Sequence, residues 1–175
     1  MGSNMKNSIL ILILGIFSVQ GIAKNIQHEY SVSSDTLKLK YNSIDFIGTW
    51  VSKVATNDTV EITLVKKVMY AKKMNQYFEA IVGSVKRIKN GHIVFYREIK
   101  ENNIVEESGI PLVGGAYRPD ELIFTYWEGE QSNNNGLAYL TRKDSNNATW
   151  ILKSTREKQG LDKFQIPGLL NFTRK

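Results

Sequence analysis

Cysteine is absent from this chain of 175 residues, and histidine occurs only twice, at His28 and His92. The first absence removes disulfide frameworks, thiolate metal sites and cysteine nucleophiles together. The second leaves histidine metal centres and Ser/His/Asp catalysis short of parts. Nucleotide loops of the Gly-x-Gly-x-x-Gly and Gly-x-x-x-x-Gly-Lys kinds are missing, as are the Gly-x-Ser-x-Gly elbow and the Asp-x-Asp-x-Asp-Gly calcium loop. No metal or cofactor is therefore expected. Proline is scarce, at Pro111, Pro119 and Pro167, and no stretch of a dozen residues in the body of the chain keeps a 3.6-residue period. Long helices are not expected either.

Long hydrophobic runs are confined to residues 9–17, which follow Lys6 and precede the small residues Ser18, Gly21 and Ala23. Such a run suits the core of a secretory signal and falls well short of the roughly 20 residues that span a bilayer. Gly21-Ile22-Ala23 supplies a small-x-small cleavage pattern, and no cysteine follows it for lipid attachment. Met1-Gly-Ser-Asn4 reads as a cloning scar ahead of a natural Met5. The expected organisation is scar plus cleaved signal peptide over 1–23, an N-terminal segment over 24–42, and one domain over 43–175. Export without disulfides fits a bacterial periplasm or medium.

Charge of one sign is not in large excess: 23 Lys and Arg face 17 Asp and Glu, a net of +6. It is arranged in blocks, with residues 61–97 at +6 and residues 98–130 at −6. The plainer reading pairs basic with acidic strands across a sheet, and is preferred, the excess being small, to the sharper one in which a basic face binds an anionic partner. Nucleic acid is not an expected partner, because no basic cluster is interleaved with stacking aromatics.

The pattern that is present has a period of two. Val60, Ile62 and Leu64 alternate with Glu61 and Thr63, and branched and aromatic residues crowd 77–82, 92–96, 122–127, 137–140 and 149–152. Turn signals separate them, the strongest being Asn90-Gly91, whose tolerance of positive φ suits a two-residue type I′ hairpin. Strands are expected near 37–41, 48–54, 59–70, 77–89, 92–100, 103–110, 120–128, 136–143, 148–156 and 168–174. Helical candidates are a short turn at 42–47 and a stretch at 159–163, and Gly114-Gly115 between Pro111 and Pro119 reads as the largest irregular loop. With no helical crossovers, this is an all-β fold: an antiparallel up-and-down meander closed or nearly closed into a barrel of 8 to 10 strands. Its expected core holds Trp50, Ile62, Leu64, Ile81, Phe95, Phe124, Leu140, Ile151 and Phe172.

Ile44-Asp-Phe-Ile-Gly48-Thr49-Trp50, a short turn running into Gly-x-Trp, resembles the opening motif of lipocalin and calycin barrels. That resemblance implies a lipocalin-like barrel with Trp50 at its floor and a late arginine, Arg156 or Arg174, packed over the ring. Residues 43–175 are also similar to a family of small secreted bacterial domains of unknown function. The elements that carry the likeness are Phe-x-Gly-Thr-Trp, the Lys-rich strand from Leu64 to Tyr70, Ile81-Val-Gly-Ser84 and the Asn-Gly hairpin, with a Leu-x-Phe ending. This likeness implies a fold and no catalytic residues.

Tyr96, Phe124, Tyr126 and Tyr139 are the candidate ligand-binding residues, because aromatic rings with hydroxyls suit an amphipathic cavity. Alternation places Phe124 and Tyr126 on one face and Trp127 on the other. His92, beside the turn, is expected at the exposed rim. Among carboxylates, Glu106 and Glu107 point to opposite faces, while Glu128 and Glu130 share one and read as solubilising a hairpin end. These features describe an exported, monomeric, non-enzymatic binding domain with a small apolar or amphipathic molecule in its barrel. The alternatives are a protein-interaction or inhibitor module acting through its outer surface, or a carboxylate-dependent hydrolase.

Overall fold

The computed structural model describes residues 36–39, 41, 43–99, 104, 109–129, 134–155 and 164–175. They form β1 (Gly48–Ala55), β2 (Asp58–Ala71), β3 (Gln76–Lys89), β4 (His92–Arg97), β5 (Leu112–Arg118), β6 (Glu121–Trp127), β7 (Asn135–Arg142), β8 (Asn147–Ser154) and β9 (Leu169–Arg174). Single 3-10 turns occupy Ile44–Phe46 and Lys72–Met74. All pairings between strands are antiparallel. The ring runs β1, β2, β3, β5, β6, β7, β8, β9 and returns to β1, an eight-stranded closed barrel.

β4 is the strand outside the ring. One edge of β3 pairs with β4 over Val85 to Lys89 and with β5 over Ile81 to Gly83, so β4 and β5 follow one another along the same edge. The Asn90-Gly91 hairpin that joins β3 to β4 has φ of 52° and 79°, the paired positive values that the turn type requires.

The segment read as the largest irregular loop is instead β5. Gly-Gly between two prolines carries breaker chemistry, but here the glycine answers a packing demand. β5 lies so close to β6 that a Cβ on Gly114 would meet the Ile123 carbonyl oxygen at 1.9 Å. The expected strand at 37–41 reduces to one parallel bridge, Leu37 to Phe78. Within 103–110, Ile104 makes a parallel bridge to Tyr70, while residues 105–108 and the helical candidate at 159–163 lie outside the described residues.

Alternation sends Trp50, Ile62, Leu64, Ile81, Phe124, Leu140, Trp150 and Phe172 into the barrel, each at most 1% exposed. Ile151 was expected among them and is 41% exposed: Trp150 and Leu152 take the inward parity of β8, which turns the residue between them outward. Phe95 is half-buried against the core edge. A second cluster of Met69, Phe78, Ala80, Val82, Ile110 and Val113 covers the outer face, where the long β2–β3 hairpin runs past the barrel floor, with Leu37 packed on it. The described ion pairs Lys66–Glu79 and Lys86–Glu61, both 2.8 Å, join β2 to β3 and do not join the basic block to the acidic one.

Gly114→Ala should destabilise by about 3 kcal/mol, the upper end of overpacking costs, because its contact is backbone. Gly115→Ala should cost under about 1 kcal/mol, since the added Cβ meets only the tip of Leu39 at 2.7 Å. Chemical denaturation of the two variants checks the contrast.

Candidate functional site

The barrel has a floor and a mouth, and the residues singled out from the sequence divide between them. At the floor, Gly48 opens β1 with a φ of 123°, and the Thr49 hydroxyl meets that of Thr63 at 3.1 Å. Trp50 donates its indole N–H to the Phe46 carbonyl at 2.9 Å. The Arg174 guanidinium lies 4.9 Å from the Trp50 ring centroid and donates to the carbonyls of Asp45 and Ile47. Phe46 seals this end under Arg142, which pairs with Asp45 at 2.7 Å. Trp50 thus has both its donor and its ring engaged in holding the floor. Arg156 lies outside the described residues.

The four candidate ligand-binding residues do not share a site. Phe124 and Tyr126 point into the barrel, 0% and 1% exposed. Tyr96 is exposed on β4, and Tyr139 lies on the outer face of β7 with the Lys153 ammonium 4.8 Å from its ring centroid. The physical reason is parity: Ala138 and Leu140 take the inward positions of β7. Trp127 faces outward beneath the Arg97 guanidinium at 5.0 Å, and His92 is exposed.

Around Tyr126 the mouth assembles residues whose roles the sequence concealed. An aromatic column descends from Phe164 to Tyr126 (5.8 Å between centroids), Trp150 (6.1 Å) and Phe172 (a further 6.3 Å). Glu128, just past β6, was read as solubilising a hairpin end. It is buried instead, and accepts from the Tyr126 hydroxyl at 2.8 Å, the Asn134 amide at 3.0 Å and the Gln165 main-chain N–H at 2.6 Å. Burial, and then the charge and hydrogen bond of Glu128, push the Tyr126 phenol well above its ordinary range and keep it a neutral donor. Glu130, Glu106 and Glu107 lie outside the described residues. Two strands round the ring, on β3, Arg87 grips Asp58 through two nitrogens at 2.9 and 2.6 Å, and donates a third hydrogen bond to the Gln165 carbonyl at 2.6 Å.

Among the described residues three buried side-chain polar atoms make no hydrogen bond: the Thr149 hydroxyl, Arg174 Nε at the floor, and the Trp150 indole N–H beside Tyr126. The Trp150 indole N–H is buried without a hydrogen bond, whereas that of Trp50 is satisfied. A buried donor left unmade costs about 1–3 kcal/mol. Its sequence signal was only the place of Trp150 in an alternating strand, which reads as core.

Fold and mouth together define a closed antiparallel β-barrel whose interior is apolar except for a few placed polar groups. The chain belongs to a family of unknown function, DUF6705, whose profile matches residues 5–111, a span that ends just before β5. No curated protein and no solved structure matches it. Among the described residues no helix is long and apolar enough to cross a membrane.

Trp50→Ala should cost about 3–5 kcal/mol, whereas Arg174→Met should cost about 0.5–2 kcal/mol, both read by thermal unfolding. Asp58→Asn should cost about 1.5–3 kcal/mol at neutral pH. The hydrogen bond from Arg87 holds the Asp58 carboxyl below its ordinary 3.8 against the opposing effect of burial. Its contribution is complete above 3.8 and lost as pH falls through the lower folded value. Stability curves of parent and variant, separate at pH 7, should therefore converge in acid.

Proposed function

We propose that this chain is an exported, monomeric, non-enzymatic binding domain that takes a small apolar or amphipathic molecule through the barrel mouth. The observation that carries this reading is the unpartnered indole N–H of Trp150, set in an aromatic interior below Tyr126. An apolar interior holding an unmade indole donor suits an apolar body bearing one acceptor, such as a carbonyl. The inward side chains are closely packed, so a ligand must displace something. Phe164 and Ile166, 7% and 0% exposed, fill the mouth from a segment that is not a barrel strand. Glu128 is committed to three protein donors, which favours binding over acid/base work. Export is supported by Lys6, the apolar run at 9–17 and the Gly21-Ile22-Ala23 pattern, with a mature chain beginning near Lys24.

A second reading rests on Ile93, Val94 and Tyr96 of β4, each more than half exposed on a strand beyond the ring, where the outer surface would act instead.

Titration with an environment-sensitive acyl-aminonaphthalene, which has an apolar body and a ketone acceptor, separates the two. Saturable binding is expected, weakened about three- to tenfold by Trp150→Phe, the equivalent of one hydrogen bond. The melting temperature of that variant should fall less than that of Trp150→Leu, because removing an unmade donor offsets part of the cost of the smaller ring. Absence of saturable binding, or binding indifferent to Trp150→Phe, would overturn the barrel reading in favour of the surface one.

A further inference from the structure

Asparagine stands directly before glycine at two places, Asn90-Gly91 and Asn135-Gly136, and the fold treats the two pairs in opposite ways. A glycine has no side chain to keep its main-chain nitrogen away from the amide of a preceding asparagine, so both pairs are chemically open to ring closure. Closure requires rotation about the asparagine ψ until that nitrogen meets Cγ. At Asn135 the rotation is blocked. Its carbonyl accepts from the Thr155 hydroxyl at 3.1 Å, it is paired with Trp127, and Gly136 is buried between Tyr126 of β6 and Ser154 of β8. Asn90 and Gly91 are instead both exposed, at the tip of the β3–β4 hairpin. The ladder stops at the flanking pair Lys89–His92, and among the described residues nothing bonds the Asn90 side-chain amide or the Gly91 N–H. The Asn90 N–H, donating to the Asn57 carbonyl at 2.7 Å, ties the tip to the turn between β1 and β2.

We infer that Asn90 is a site of spontaneous deamidation whose product remodels the start of β4. The Gly91 nitrogen gives up its proton and bonds to Asn90 Cγ; the Cγ–Nδ2 bond breaks and ammonia leaves, so that a five-membered succinimide remains. Water then opens the ring at one of its two carbonyls. Opening at Cγ leaves an ordinary aspartate, and opening at the main-chain carbonyl leaves isoaspartate, whose chain runs through Cβ and Cγ. The paired φ values of 52° and 79° belong to a turn of two residues of ordinary chain length, so the added methylene disturbs the Lys89–His92 pair from which β4 starts. Either product also places a carboxylate where residues 85–97 hold four Lys and Arg and no acid. The inference goes beyond the binding reading and concerns the strand that presents Ile93 and Tyr96.

The test ages the full chain in warm neutral buffer and maps the amide-to-acid mass gain by peptide digestion at intervals. Conversion at Asn90 should run at least about tenfold faster than at Asn135, where the ladder must open first. Isoaspartate should be the larger product, read with a protease that cuts before aspartate and not before isoaspartate. Deuterium exchange over residues 92–97 should quicken in the aged chain. It should stay at the parent rate in Asn90→Asp, which adds the charge without lengthening the chain, and ageing should leave Asn90→Gln unchanged at this position. Equal rates at the two Asn-Gly pairs, or a mass gain confined to other residues, overturn the site. Aspartate as the sole product overturns the ring-closing route, and unaltered exchange over 92–97 in chains that carry isoaspartate overturns the remodelling.

Discussion

The bore of an eight-stranded barrel is just wide enough for the side chains of its own wall, so each inward position is an assignment of volume. Here Trp50, Trp150, Tyr126, Phe124 and Phe172 are accommodated because Ala116, Ala138 and Ala148 face the same interior, and because Gly114 lets β5 approach β6. The ends of the bore need fillers from outside the strands: Phe46 at the floor, Phe164 and Ile166 at the mouth. The two ends are fastened differently. The floor is bound by Trp50 and Arg174 to neighbouring carbonyls, whereas the mouth is fastened through one residue's main chain to two charged side chains.

Period-two alternation carried most of the architecture, because in a closed antiparallel sheet the side-chain parity of each strand is a local property. It failed where a local signal was ambiguous. Gly-Gly between prolines has the same composition in a loop as in a strand that another backbone crowds, and only the partner, Ile123, distinguishes them. Thr149-Trp-Ile-Leu152 gives apolar residues at both parities, so the orientation of Ile151 depended on which neighbour the bore could hold.

The mouth was far less legible. Glu128, Arg87 and Gln165 are unremarkable in their own neighbourhoods, and their meeting is decided by closure of the ring. Burial of a glutamate at a strand end is invisible until its three donors are placed around it. Tyr96 and Tyr139 were grouped with Tyr126 by chemistry, and the barrel wall separates them. Trp50 and Trp150 show the same limit from the other side: one sequence type, two strands, and a difference that consists of a single carbonyl within reach of one indole and not the other.

The seam between β1 and β9 joins Trp50 to Arg174 and Val51 to Thr173, a separation of more than 120 residues bridged by two residue pairs. Such contacts carry the largest loop-closure entropy in the molecule and the least local reward. Chain topology therefore makes the seam the join expected to form last. The β2–β3 hairpin, whose strands are 14 residues each and joined by a tight turn, is suited to be the first. Until the seam closes, the inward faces of all eight staves are open to solvent and to other chains. Crowding or a shortage of folding assistance would therefore show itself as aggregation of an almost complete sheet, well before any change in the finished barrel.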